Sequence, residues 1–249
     1  MKEKIILITG GGRGIGAACA LLAAQHGYRV CINYRSDDMA ASSVVAAIEE
    51  AGGGALAIKA DVSDELEVER MFAVVDERFG RLDALVNNAG ILSGQMRVDR
   101  MDAARITRIM ATNVTGSFLC AREAVRRMST RHGGQGGSIV NLSSRAAVLG
   151  SAGEYVDYAA SKAAVDALTT GLAREVANEK IRVNGVRPGL IHTGMHASGG
   201  EPGRVGRLQS SVPMGRGGEP VEVAQAVLWL LSSEASYTTG TFVDVSGGR

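Results

Sequence analysis

An α/β fold, a doubly wound parallel sheet of about seven strands with helices on both faces, is predicted by three features of the 249-residue sequence. Short apolar runs alternate with longer segments of helical periodicity, which is the pattern of strands buried beneath crossover helices. A glycine cluster, Gly10 to Gly16, stands between the first apolar run and the first helical segment. No Pro- or Ser-rich linker or charge block divides the chain, so one domain spanning 1–249 is expected.

The strands are expected at Ile5–Thr9, Arg29–Asn33, Ala55–Ala60, Ala84–Asn87, Ser138–Leu142, Arg182–Val186 and Thr241–Val245. Helices are expected near 14–26, 37–51, 64–79, 102–131, 154–178 and 219–232, most with small or polar residues at their starts. The stretch 191–218 breaks the rhythm with Gly, Pro and Met and few strand signals, and reads as a mobile cover over a ligand crevice.

Composition narrows the function classes. A net charge of +1 argues against nucleic acid or an anionic membrane as the main partner, since both select for concentrated basic surface. Cys19, Cys31 and Cys120 form no CxxC pair, so neither a disulfide framework nor a thiolate metal site is indicated. His192 and His196 lie four apart, but no neighbouring cysteine or compelling carboxylate completes a metal site, and no metal is expected. No apolar stretch reaches spanning length and no leader pattern opens the chain, so a soluble cytoplasmic protein is expected.

The turn Thr9-Gly10-Gly11-Gly12-Arg13-Gly14-Ile15-Gly16 follows a strand and opens a helix, the context a nucleotide-binding glycine turn requires. Gly10 permits the sharp exit from the strand, Gly14 lets backbone approach a pyrophosphate, and Gly16 allows close packing of helix on sheet. Phosphates then meet the positive end of the helix. At the end of the second strand, where an acidic residue commonly accepts bonds from an adenosine ribose, the chain reads Asn33-Tyr34-Arg35-Ser36. Arg35 suits a 2′-phosphate, with Ser36 as a neutral donor and Arg13 approaching from the glycine turn, so NADP(H) is favoured over NAD(H). Asp37 and Asp38 read as the start of the next helix.

Tyr158 and Lys162 stand four apart, on one face of a helix. A tyrosine near its ordinary pKa of ~10 is protonated at neutral pH, and lowering it by about three units takes roughly 4 kcal/mol. A nearby ammonium and an oxidised nicotinamide ring are the expected sources. Tyr158 then exchanges the proton of an alcohol or carbonyl while hydride passes to or from the nicotinamide. Ser143 and Ser144 end the fifth strand, where one hydroxyl can polarise the substrate oxygen, and Tyr155 is a packing or pocket residue.

These motifs, in order, resemble the short-chain dehydrogenase/reductase family: Gly-x-x-x-Gly-x-Gly at Gly10, Asn87-Asn88-Ala89-Gly90, Asn113, the set Ser144, Tyr158 and Lys162, and Pro188-Gly189 with Thr193. The resemblance implies a single-domain Rossmann-like fold, and catalytic roles for Asn113, Ser144, Tyr158 and Lys162. Ser144 is preferred over Ser143 on its spacing to Gly150, although one extra residue lies between Gly150 and Tyr158, within Glu154-Tyr155-Val156-Asp157. Lys162 would bond the nicotinamide ribose and relay protons, with Asn113 holding a water in that relay. Cofactor contacts are implied for Ile15, Asp61, Val62, Asn88, Ala89, Gly90, Tyr158, Lys162, Pro188, Gly189, Ile191 and Thr193, beside the glycine-turn, Arg35 and Ser36 positions; Asp61 also reads as a helix N-cap or turn former. A small-molecule alcohol or carbonyl is the implied substrate, a sugar or polyol or a 3-oxoacyl compound, and assembly is implied to be a homotetramer through 102–131, 154–178 and 241–245. The run Arg122, Arg126, Arg127 and Arg131 reads as a solvated helix face rather than a docking patch for an acidic carrier protein. A noncatalytic NADP(H)-binding regulator is the alternative from a different class.

Overall fold

The computed structural model describes residues 3–249. Seven strands form one sheet, β1 (Lys4–Ile8), β2 (Tyr28–Tyr34), β3 (Gly54–Lys59), β4 (Ala84–Asn87), β5 (Gly137–Leu142), β6 (Ile181–Pro188) and β7 (Phe242–Val245). Their order is β3-β2-β1-β4-β5-β6-β7, and every pairing is parallel. The chain winds outward from β1 in one direction and from β4 in the other. The crevice between the carboxyl ends of β1 and β4 is therefore the switch point at which such sheets receive ligands.

The apolar runs are continuous because both faces of the sheet are covered. Ile6 and Ile8 of β1 are buried in a cluster with Cys19, Ala20 and Ala23 of α1 (Gly14–Gln25) and Val223, Val227 and Leu231 of a later helix, Pro220–Leu231. Ile5 and Leu7 point the other way, toward Met71, Phe72 and Val75 of α3 (Glu65–Phe79). Alternation along one strand thus feeds two cores. The three cysteines sit in these cores as free thiols, and burial pushes each up to about 12, which makes them inert packing groups.

The helix starts follow local polar chemistry. Asp37 caps α2 (Asp38–Glu50), accepting the Ala40 N–H at 3.0 Å, and Asp38 occupies the first turn. Asp64 caps α3, so the reading of Asp61 as a helix cap is corrected. Asp61 instead closes a turn, accepting the N–H of Ser63 at 2.9 Å and its hydroxyl at 2.6 Å.

The helix expected over 102–131 is divided. It runs as α4 (Ala103–Met110), a π-helical turn (Ala111–Thr115) and α5 (Gly116–Met128), then ends in a 3₁₀ turn. A period count does not register one widened turn inside a helix. A short helix α6 (Ala146–Leu149) follows β5, and α7 (Val156–Val176) starts two residues later than expected, after Tyr155. Within 191–218 lie two short helices, α8 (Met195–Ser198) and α9 (Arg204–Leu208), with a parallel bridge from Ile191 to Gly218 closing their base. Pro220–Leu231, α10, carries a capping box of Glu219 and Glu222.

The arginines of α5 do not form a freely solvated face. Glu123, buried on the same helix, bonds Arg126 at 2.7 Å and Arg127 at 2.7 Å, and Arg127 reaches Asp76 of α3 at 2.6 Å. Arg122 pairs with Glu65 and Glu69, and Arg131 with Glu179. The run ties α5 to its neighbours, and its charge is largely spent there. No described helix is long and apolar enough to cross a membrane, and no group of three or more potential metal ligands occurs among the described residues.

Candidate active site

The glycine turn is shaped by close backbone approach. Gly10 and Gly14 have φ of +62° and +56°, values that favour glycine. A Cβ on Gly16 would stand 2.3 Å from the Gly10 carbonyl oxygen, so α1 can begin this close to β1 only without a side chain there. No side chain caps α1, and its first turn contains no acidic residue, which leaves the N–H groups of that turn free for an anion. This cradle fits the diphosphate of a dinucleotide.

Asn88 locks the turn to β4. Its amide donates to the carbonyls of Thr9 at 2.9 Å and Gly10 at 3.0 Å, while the Thr9 hydroxyl accepts the N–H groups of Asn88 and Ala89, each at 3.0 Å. The Asn88 side chain therefore shapes the cradle from beneath. Across the opening, Thr193 comes close enough that a Cβ on Gly14 would lie 3.4 Å from its methyl carbon. Pro188 and Gly189 pass beneath the same opening, with Gly189 N–H donating to Val245 at 2.9 Å.

Arg35 and Ser36 are exposed beyond the end of β2, and Arg13 is exposed at the start of α1. The Arg35 guanidinium lies 3.6 Å from the Asp61 carboxylate, so the two residues meet beside the ends of β2 and β3. Val62 is buried and packs against Gly116, which would bring a Cβ within 2.8 Å of it.

Ser144, Tyr158 and Lys162 line one cavity of about 440 Å³ at the carboxyl ends of β5 and β6, together with Ile15, Ile191 and Thr193. The two serines are told apart by where their hydroxyls go. Ser143 is buried and donates to the Lys162 carbonyl at 3.1 Å, whereas Ser144 accepts the Ala146 N–H at 3.1 Å and lines the cavity beside Tyr158. Lys162 is buried, its ammonium donates to the Leu142 carbonyl at 2.7 Å and lies 5.7 Å from the centre of the Tyr158 ring.

In the protein alone, burial pushes the Tyr158 hydroxyl up to about 12, against a smaller lowering by Ser144; the lowering expected from a bound oxidised nicotinamide belongs to the loaded site. Burial also holds Lys162 down to about 8, with Asp166 opposing it. Spacing on a helix shows that ammonium and hydroxyl share a face; it does not show that Lys162 is buried and Tyr158 half-buried. In the protein alone the Tyr158 hydroxyl therefore stays protonated at neutral pH.

Asn113 sits in the π-helical turn, wholly buried. Its side chain grips Ile91, accepting the N–H at 2.8 Å and donating to the carbonyl at 3.1 Å, and it donates to the Ser161 hydroxyl at 3.0 Å. A Cβ on Gly90 would meet Lys162 Nζ at 3.4 Å and Asn113 Oδ1 at 3.5 Å, so the loop after β4 passes directly over the lysine.

The histidines separate: His196 Nε2 bonds the Ile191 carbonyl at 3.0 Å, and His192 lies 3.9 Å from Glu219. Tyr155 is buried, donates to the Gly199 carbonyl at 3.2 Å, and carries the Arg204 guanidinium 4.9 Å over its ring. Two groups lining or bordering the site escaped the sequence reading: Arg204 with Glu154, paired at 2.5 Å, and the buried Arg105–Asp157 pair at 2.7 Å. Their partners lie 50 and 52 residues apart, beyond any local pattern.

Residues 10–249 match the family profile described as enoyl-(acyl carrier protein) reductase. The chain belongs to the short-chain dehydrogenase/reductase family. It is an oxidoreductase of that family, acting on CH–OH groups, and family membership implies a nicotinamide cofactor. Relatives include the uncharacterized oxidoreductase YgfF of Escherichia coli K12, 60% identical over 98% of this chain and 99% of that protein. The 3beta-hydroxysteroid dehydrogenase 1 of Eggerthella lenta is 41% identical, covering 100% of this chain and 94% of that one. A short-chain dehydrogenase/reductase structure from Mycobacterium marinum superposes with a TM-score of 0.92 at 36% identity, covering 98% of this chain and 94% of that one. The seven-stranded sheet and its flanking helices are thus the Rossmann-like fold of the short-chain dehydrogenases.

Proposed function

We propose that this protein interconverts an alcohol and a carbonyl with NADP(H), Tyr158 exchanging the proton. The observation that carries the reading is that Ser144, Tyr158 and buried Lys162 line one cavity at the carboxyl ends of the strands, with the ammonium 5.7 Å from the tyrosine ring. Bound nicotinamide supplies or accepts the hydride. Ser144 donates to the substrate oxygen and polarises it, while Tyr158 delivers its proton there during reduction. Lys162 bonds the nicotinamide ribose and replenishes that proton, and Asn113 supports the relay by its hold on the loop at Ile91. Gly10, Gly14, Ile15, Gly16, Asn88, Ala89 and Gly90 cradle the phosphates and ribose; Pro188, Gly189, Ile191 and Thr193 border the nicotinamide; Asp61 and Val62 border the adenine. The segment 191–218 covers the substrate. The substrate is a small alcohol or carbonyl, from the sugar and polyol class or the 3-oxoacyl class, and the assembly is a tetramer through α4, α5, α7 and β7; Phe118, half-exposed on α5, supports that packing. The test is a panel of carbonyls followed by NADPH consumption and of alcohols and sugars followed by NADP reduction. Cofactor binding without turnover of any member would favour a regulator.

Arg35 carries the cofactor preference. A charge-assisted bond to a 2′-phosphate contributes about 1.5–3 kcal/mol, so Arg35→Ala is expected to cost NADPH roughly 10- to 100-fold in kcat/KM. NADH should change little. Parallel loss for both cofactors in steady-state assays would count against the assignment.

The lysine sets a pH limit. Protonated Lys162 is the working form, and its ammonium is held down to about 8 by burial. Reduction is therefore expected to weaken as pH rises through that value. A pH profile of kcat/KM still flat at pH well above it would contradict the role.

A further inference from the structure

Asp157, the residue before Tyr158, is the centre of a buried cluster of bonds. Asp157 is buried, with its Oδ2 accepting Arg105 Nε at 2.7 Å. Its Oδ1 accepts Arg105 Nη2 at 3.3 Å and the backbone N–H of Tyr158 at 2.9 Å. The remaining arm of Arg105, Nη1, donates to the Gly94 carbonyl at 2.6 Å. One side chain pair therefore joins α4, the first turn of α7 and the loop after β4.

That loop is fastened at two further points, and both lead back to α7. Asn113, itself bonded to Ser161, holds Ile91, and the Met96 N–H donates to the Glu154 carbonyl at 2.9 Å. Leu92, between the fastened positions, lines the cavity shared by Ser144 and Tyr158. Glu154 and Tyr155 hold Arg204 and Gly199 of the cover from the same segment.

We infer that Arg105 and Asp157 are positioning residues for Tyr158. The pair sets the first turn of α7 against the loop wall so that the tyrosine hydroxyl meets Ser144. A buried ion pair is poor evidence for stability by itself, because desolvation offsets its attraction. Its fork geometry instead fixes direction: a bidentate guanidinium tolerates little sliding of one helix past another. The inference rests on Tyr158 being the proton-transfer group.

The test uses Asp157→Asn, Arg105→Lys and the paired replacement Arg105→Met with Asp157→Leu, in the full chain. Asp157→Asn keeps an oxygen for the Tyr158 N–H and loses the charge. A misplacement near 1 Å costs on the order of 10²-fold, so kcat is expected to fall at least about tenfold in each variant. NADPH affinity, read by fluorescence titration, should stay unchanged because the glycine turn is not part of the clamp. The paired apolar replacement should recover the thermal midpoint without recovering kcat. It carries the test if a single variant does not fold. Recovery of kcat together with the midpoint, or wild-type kcat in Asp157→Asn, overturns the inference. Tyr158→Phe in the same assay separates the two readings: if it is inactive while the Asp157 variants are fully active, only the positioning role falls, and if it is fully active, both fall.

Discussion

Tyr158→Phe is expected to lower kcat on any confirmed substrate by about 10²- to 10⁴-fold, the span of a positioned general acid or base. The substitution removes one hydroxyl and leaves the ring against Lys162, so the fold should persist. Deleting a half-buried hydroxyl whose pKa is pushed up to about 12 removes a polar group from a place where ionisation is already suppressed. Stability should hold or rise slightly, and NADPH binding should be preserved, because the N–H groups proposed to hold the diphosphate are untouched. Single-turnover measurement with bound NADPH reads the chemical step directly. A variant that retained wild-type single-turnover rates would remove Tyr158 from the mechanism, whatever its steady-state behaviour.

Gly16→Ala is expected to abolish useful cofactor binding and to destabilise the protein at the same time. The new Cβ would stand 2.3 Å from the Gly10 carbonyl and 2.6 Å from the Asn88 amide nitrogen. Neither neighbour can yield freely: Asn88 is bonded to both Thr9 and Gly10, and Gly11 N–H donates to the Asn33 carbonyl at 2.8 Å. Relief must come from shifting α1 off the sheet, which opens the N–H groups that would hold the phosphates. Overpacking of this kind costs about 1–3 kcal/mol in stability. Gly27→Ala is the informative control, since Gly27 has φ of +78° and nothing within 4 Å of a built Cβ. It should carry a backbone penalty of about 1–2 kcal/mol and keep NADPH affinity. Urea melts and cofactor titration of the two variants side by side decide the matter. Wild-type affinity in Gly16→Ala would mean that the turn does not cradle the diphosphate.

Much of this arrangement can be read without coordinates, for identifiable reasons. Buried parallel strands appear as apolar runs, as at Ile5–Ile8, because neither face is wet. The glycines at 10 and 14 announce positive φ, and Gly16 a backbone approach that any side chain would block. Tyr158 and Lys162 share a helix face by their four-residue spacing alone. The choice between Ser143 and Ser144 stayed open in the residues, and needed the direction each hydroxyl takes around β5 and α7.

Other features depend on elements brought together from afar. The π-helical turn at Asn113 follows from packing among α4, α5 and α7, whereas the sequence there retains ordinary helical character. The α5 arginines look solvated until α3 lies beside them with Glu65, Glu69 and Asp76. A raised Tyr158 and a lowered Lys162 follow from the burial that surrounding elements impose on the two groups. The sequence by itself determined the sheet, the glycine-rich turn after the first strand and which side chains are proposed to react, since these rest on local periodicity, conformational freedom and residue chemistry. Only the tertiary structure decided which groups are dry and what holds them: the Arg105–Asp157 clamp joins residues 52 apart, and burial depends on what the rest of the chain stacks against a site.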